Sequence, residues 1–262
     1  MKRFLIGVCF LVIFIPGVWF IAIPDSLIIG MLENSIRSDG LRVETEGFRK
    51  GLFLNFAIER VSLKKGGNSL FSIEDITGRV SLLSLLLLRL DMSFGGNIGK
   101  GKVSGDIDTI WRDNRISLHI DEVDIEGIPF LGLVGVRGSG MFSGDFRVKG
   151  NKGELKFLIK DARFKSISFS GVPVPMGMFH SAKGMMVINK GIIDVRSFTL
   201  EGKDIYARLK GNVRDGNLDM RMEVMPDPSS VYKTFLSIQL GRYNVSPGYY
   251  VIPISGEVAS GL

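Results

Sequence analysis

Two histidines, His119 and His180, are the only imidazoles available to ligate a metal or pass protons near neutral pH. His119 lies between Leu118 and Ile120, where strand alternation places it on a polar face. His180 follows Pro173-Val-Pro-Met-Gly-Met-Phe179, a run that reads as loop, so a two-histidine metal triad has little to build on. Asp121, Glu122, Asp124 and Glu126 are crowded enough to attract a hard cation. They lack the fixed glycine and closing glutamate of a calcium loop, and their spacing reads as the solvated edge of a strand, as does that of Asp106 and Asp108. Gly96-Asn-Ile-Gly-Lys-Gly-Lys102 looks like a phosphate loop but has no Gly-Lys-Ser/Thr ending and no helix to hold the anion; it predicts a hairpin. No serine stands in a Gly-x-Ser-x-Gly elbow. These residue types assign no catalytic, cofactor-binding or metal-ligating side chain and imply no cofactor, which argues against an enzyme.

The frame that would carry any function is set by Phe4–Ile23, twenty residues without Asp, Glu, Lys or Arg. At helical rise such a run spans a hydrocarbon core of roughly 30 Å. A cleaved signal has a shorter apolar core and a small-x-small exit, whereas this one leaves through Ile21-Ala-Ile-Pro-Asp25. Cys9 does not make a lipoprotein signal, because Val8 stands where a small residue is needed. Lys2 and Arg3 precede the run and Asp25 follows it, so the positive-inside rule predicts a cytoplasmic stub at 1–3, an anchor at 4–23 and a periplasmic domain at 24–262. Without Lys2 and Arg3 the chain carries 31 basic against 27 acidic residues, a mild excess spread along its length and no nucleic-acid footprint. The single cysteine lies in the anchor and permits no intrachain disulfide.

Beyond the anchor the pattern is mainly β. Asp25–Arg37 can form a helix closed by Gly40, and extended runs follow at Leu41–Glu46, Gly51–Leu63 and Leu70–Val80. Val80–Leu90 is too short to cross a bilayer and reads as a short helix or turn entering a buried strand. Turns are predicted at Gly95-Gly96, Asp113-Asn114, Gly150–Gly153, Asn189–Gly191, Glu201-Gly202 and Asp215–Asn217, the spacing of an antiparallel meander. Leu155, Phe157 and Ile159, then Ile205, Ala207 and Leu209, then Leu218, Met220, Met222 and Val224 alternate with polar neighbours, putting one face of a sheet against apolar matter. A helix at Pro228–Gln239 and a last strand at Tyr249–Val258 complete the chain.

That apolar face must be covered, since each large side chain is worth roughly 1.5–3 kcal/mol when buried. With only two or three short helices available, the expectation is a curved or folded-over sheet. It is either a sandwich closed by a second sheet or a half-barrel whose trough is lined by lipid chains or a partner.

The order of elements resembles the type II secretion system protein N (GspN) family. The resemblance rests on Asp39-Gly-Leu-Arg-Val43, Gly47-Phe-Arg-Lys-Gly-Leu52, Ile76-Thr-Gly-Arg-Val-Ser-Leu-Leu-Ser-Leu85, Phe94-Gly-Gly-Asn-Ile-Gly-Lys-Gly101 and Tyr250-Val-Ile-Pro-Ile-Ser-Gly256, spread over the whole chain. Lys183–Gly191 through Gly202–Gly211 is also similar to the repeats of AsmA/TamB-like periplasmic β proteins, which are linked to envelope lipid movement. Both resemblances imply a single-pass inner-membrane protein with a periplasmic β domain, and neither brings catalytic residues. The first implies a non-enzymatic accessory component whose partners are other secretion-system subunits. The second implies a lipid-binding module holding phospholipid in an apolar trough.

Overall fold

A computed structural model describes residues 41–65, 68–81, 89–110, 113–128, 138–165, 167–169, 172–174, 176–190, 192–214, 217–230 and 232–257, with isolated positions at 17, 19, 24–26, 29–30 and 83–84. Most of the expected anchor at 4–23, most of the helix at 25–37 and the leucine run after Ser84 therefore lie outside the described residues. Among the described residues no helix is long and apolar enough to cross a membrane. The chain divides into two compact units, Met1–Arg112 and Asp113–Leu262.

In the first unit the strands are β1 (Leu41–Glu46), β2 (Arg49–Lys50), β3 (Asn55–Lys65), β4 (Asn68–Val80), β5 (Leu90–Ile98) and β6 (Gly101–Ile110). They pair antiparallel in the order β1-β3-β4-β5-β6, with β2 on β3. Alternation explains the pairing. Phe56 and Ile58 on β3, Ile73 and Ile76 on β4, and Ile98 and Val103 flanking the β5–β6 turn are all buried. The opposite face carries cross-strand ion pairs, Glu46–Arg60–Glu74 among them. Gly95-Gly96 is no turn: both residues lie inside β5, and the reversal comes at Gly99-Lys100. A Cβ on Gly96 would stand 2.8 Å from Ile73 Cγ2, so that glycine serves close packing of strands.

In the second unit β7 (Asp113–Asp124), β8 (Gly138–Lys149), β9 (Lys152–Phe164), β12 (Phe179–Asn189), β13 (Ile192–Gly202), β14 (Ile205–Arg214), β15 (Asn217–Pro226), β17 (Tyr249–Glu257) and β16 (Asn244–Ser246) follow one another in a single antiparallel sheet. β10 (Ile167–Phe169) and β11 (Val172–Val174) form a separate hairpin. The meander is thus present, and it is open. Among the described residues no second large sheet folds over either unit, and in neither does the last strand return to pair with the first. The expected C-terminal helix is shorter than the pattern predicts, α1 (Lys233–Gln239), with Leu236 turned inward and Ile238 outward. Before it, Asp227 Oδ1 accepts bonds from the Ser229 amide and hydroxyl, and the Ser230 hydroxyl accepts one from the Tyr232 amide, so the helix starts late.

Candidate functional site: the apolar face of the second unit

Strand register in the second unit lines its inward residues into four rows that each cross eight strands. The first row, Val123–Phe142–Ile159–Ala182–Leu200–Ala207–Val224–Tyr250, is buried throughout. It is buried because three short turns gather at that end of the strands: Ile125–Gly127 against β8, Met176–Met178 against β9, and Gly241–Tyr243 against β17. Ile125, Met176 and Met178 are themselves buried.

Toward the other end the cover runs out. The second row contains Ile120, Phe157, Phe198 and Leu209; the third Leu118, Phe146, Leu155, Met186 and Met220; the fourth Ile116, Val148, Ile188, Ile193, Val213 and Leu218. All of these are half-buried, whereas Val195, Met222, Ile252 and Ile254 in the second and third rows are buried. About fifteen large apolar side chains are therefore only partly out of water. Completing their burial would release on the order of 10 kcal/mol before association costs.

The floor of this surface is flattened by an aromatic lying on a glycine. The Phe157 ring crosses Gly184, where a Cβ would come 2.5 Å from ring carbon Cε1. Phe157 stacks on Phe142 at 6.1 Å and leans on Phe198 at 5.7 Å between ring centroids. The first unit repeats the device with Phe56 over Gly78, next to an open groove of about 580 Å³ lined by Arg49, Lys50, Asn55, Thr77, Arg79 and Ser93.

The reverse face of the second unit is polar and internally paired. The Glu223 carboxylate is 6% exposed and accepts bonds from Arg208 Nε at 2.9 Å and Nη2 at 2.5 Å, with Arg221 Nε 3.6 Å from its other oxygen. That bond raises the Arg208 pKa above its ordinary value. The Lys183 ammonium bonds Glu201 at 2.5 Å, which lowers the Glu201 pKa and raises that of Lys183. Lys156 likewise holds the Glu154 carboxyl low. In the first unit the Lys50 side chain is 5% exposed, 2.8 Å from Asp25 and 5.5 Å from the Trp19 ring centroid. Alternation marked Glu223 as polar, but nothing in the spacing signalled its burial or that of Lys50.

The residues singled out for chemistry take structural places. His119 is exposed on β7, with Nδ1 3.0 Å from Asp145 on β8. His180 lies in strand β12 and not in a loop, because the reversal is completed by the turn at Met176–Met178. Asp121 and Glu122 flank a bulge: the Ser143 hydroxyl donates to Asp121 and accepts from the Glu122 amide, and Glu122 sits at φ 50°. Asp124 accepts from the Glu126 amide and caps the short turn that follows. Among the described residues no cluster of three or more His, Cys, Asp or Glu could hold a metal ion. Gly96–Lys102 is the predicted hairpin, closed by Ile98 against Gly101. Asp106 and Asp108 pair across the ladder with Ser93 and Asp91.

No family model, curated protein or solved structure matches this chain.

Proposed function

We propose that this chain is a non-enzymatic accessory component of the type II protein secretion assembly, held in the bacterial inner membrane by residues 4–23, with its β units on the periplasmic side. It works by contact: the half-buried rows of the second unit seat against apolar surface of a neighbouring secretion subunit. The observation that supports this reading most is the graded cover of that face, buried throughout the row closed by turns and only half-buried at most positions of the remaining three rows. Deleting the gene is expected to stop export of folded periplasmic proteins while leaving lipid asymmetry intact. The wild-type chain and Lys183→Gln restore export, and Ile188→Asp, on the outermost apolar row, does not. Normal export in the deletion strain contradicts the reading.

A second reading, an AsmA-like lipid-binding module, is favoured by the length of the same face. Eight strands spaced about 4.8 Å apart give a width of roughly 34 Å, more than the roughly 15 Å of hydrocarbon in one leaflet. Phospholipid that stays with the purified chain would favour it.

A further inference from the structure

Five large apolar side chains are exposed among the described residues, and three of them, Leu52, Phe53 and Leu83, belong to the first unit. They are 65%, 65% and 70% exposed. All three stand at one end of its strands. The turn Leu52–Leu54 leads into β3, whose first residue, Asn55, pairs with Arg79 near the end of β4. Leu83 lies in the connection that leaves β4 after Val80 and returns into β5, where Met92 pairs with Val80. The opposite end of β5 and β6 turns through Gly99-Lys100, and among the described residues of the first unit no large apolar side chain is exposed there.

Both apolar turns are built to hold their shape. Phe53 sits at φ 56° and ψ 42°, and Leu54 at φ 64°, two successive left-handed residues where a free turn would favour glycine or asparagine. The Gly51 amide closes this turn on the Asn55 carbonyl at 2.8 Å, and Leu54 is buried beneath it. Leu83 stands between Ser81 and Ser84, whose hydroxyls lie 3.1 Å apart, and the Ser84 hydroxyl donates to Asp91 at 3.2 Å. Backbone strain spent on presenting apolar side chains to water points to a contact made elsewhere.

The same end of the unit is tied to the place where the apolar run 4–23 finishes. Lys50, at the end of β2, lies 2.8 Å from Asp25, two residues beyond that run, and 5.5 Å from the ring centroid of Trp19, four residues inside it. Phe53 follows Lys50 by three residues, so their Cα atoms are no more than about 10 Å apart. The interfacial layer on each side of the hydrocarbon is roughly 5–8 Å deep. A protein partner could use exposed apolar side chains anywhere on the unit, whereas these stand within reach of the bilayer surface, where amphipathic and aromatic groups settle.

We propose that this end of the first unit docks on the lipid surface, with Leu52, Phe53 and Leu83 entering the interfacial layer of the leaflet from which the run 4–23 emerges. The proposal rests on the reading of residues 4–23 as a membrane anchor and adds a second, separate contact that holds the first unit down on the bilayer.

The test is depth-dependent fluorescence quenching on the full chain in vesicles of phosphatidylethanolamine and phosphatidylglycerol. These contain phosphatidylcholine with a nitroxide either on acyl carbons near the headgroup or near the bilayer midplane. In a Cys9→Ser background, a nitrobenzoxadiazole label is placed singly at Leu52→Cys, at Lys100→Cys and at Val12→Cys. The label at 52 should be quenched by the shallow nitroxide, the label at 100 by neither, and the label at 12 by the deep one. Adding Phe53→Ser and Leu83→Ser to Leu52→Cys should abolish the quenching at 52. Quenching at 12 with none at 52 overturns the docking and leaves the anchor standing, as does equal quenching at 52 and 100. Quenching at 52 that survives the two serines overturns the assignment to these side chains. No quenching at 12 overturns the anchor reading and the proposal with it.

Discussion

Glu223 is the residue whose environment departs most from what its type would choose. A carboxylate this buried is stable only while its oxygens are bonded, and Arg208 supplies two of those bonds from the adjacent strand. Arg208→Ala is expected to destabilise the chain, because it leaves the buried carboxylate without its main partner. Arg208→Met combined with Glu223→Leu should recover most of that loss, since well-packed apolar groups replace a buried pair at little cost. Urea denaturation of the two variants checks this, and equal losses in both would contradict it. The exposed pairs make a second prediction. Glu154, Glu201 and Asp227 have carboxyl pKa values lowered by Lys156, by Lys183 and by the Ser229 hydroxyl and amide, respectively. A carboxylate whose folded pKa is depressed stabilises the fold above its unfolded pKa and loses that contribution as pH falls through the folded value. Stability should therefore be level above about pH 5 and decline as pH drops below roughly 4. Lys183, raised by Glu201, has the opposite sign: its contribution is present below the ordinary lysine pKa and lost at strongly alkaline pH. Melting curves that rise on acidification would refute the assignment.

At the scale of the element, the Phe157–Gly184 contact joins β9 to β12 across the apolar face. Gly184→Val forces that ring off the sheet and out of its stacks on Phe142 and Phe198. It should cost about 1–3 kcal/mol and roughen the floor of the contact surface; a chemical-denaturation midpoint unchanged from wild type would contradict this. Neither the pairing of Phe157 with Gly184 nor the mid-strand role of Gly96 could be read from spacing, because a glycine that admits a neighbour's side chain looks the same in sequence as one that turns the chain. Gly95-Gly96 was accordingly expected as a turn. Where alternation was strict the reading carried further. Ile205–Leu209 and Leu218–Val224 predicted β14 and β15 with their inward faces, since period two fixes which residues share a side. Alternation assigns a face but not its cover. The count of apolar residues called for cover, by a second sheet or by lipid or a partner in an open trough; among the described residues the sheet is open, and three short turns that no periodicity announces close one end of the second unit.

At the scale of the whole molecule, the large apolar face of the second unit is the feature behind the proposal that the chain acts by touching something apolar. The reverse face of the second unit is polar and carries ion pairs such as Arg208–Glu223 and Lys183–Glu201, so its two sides should differ in what they meet in the cell. The most direct measurement places a photo-crosslinking amino acid at Ile188, on the outermost apolar row, and separately at Lys203, exposed at the far end of the sheet. Irradiation of cells carrying the full chain should yield discrete adducts to a secretion subunit or to lipid from position 188 and none above background from position 203. Equal labelling from both positions, or no adduct from 188, would contradict the claim that this face is where the protein works.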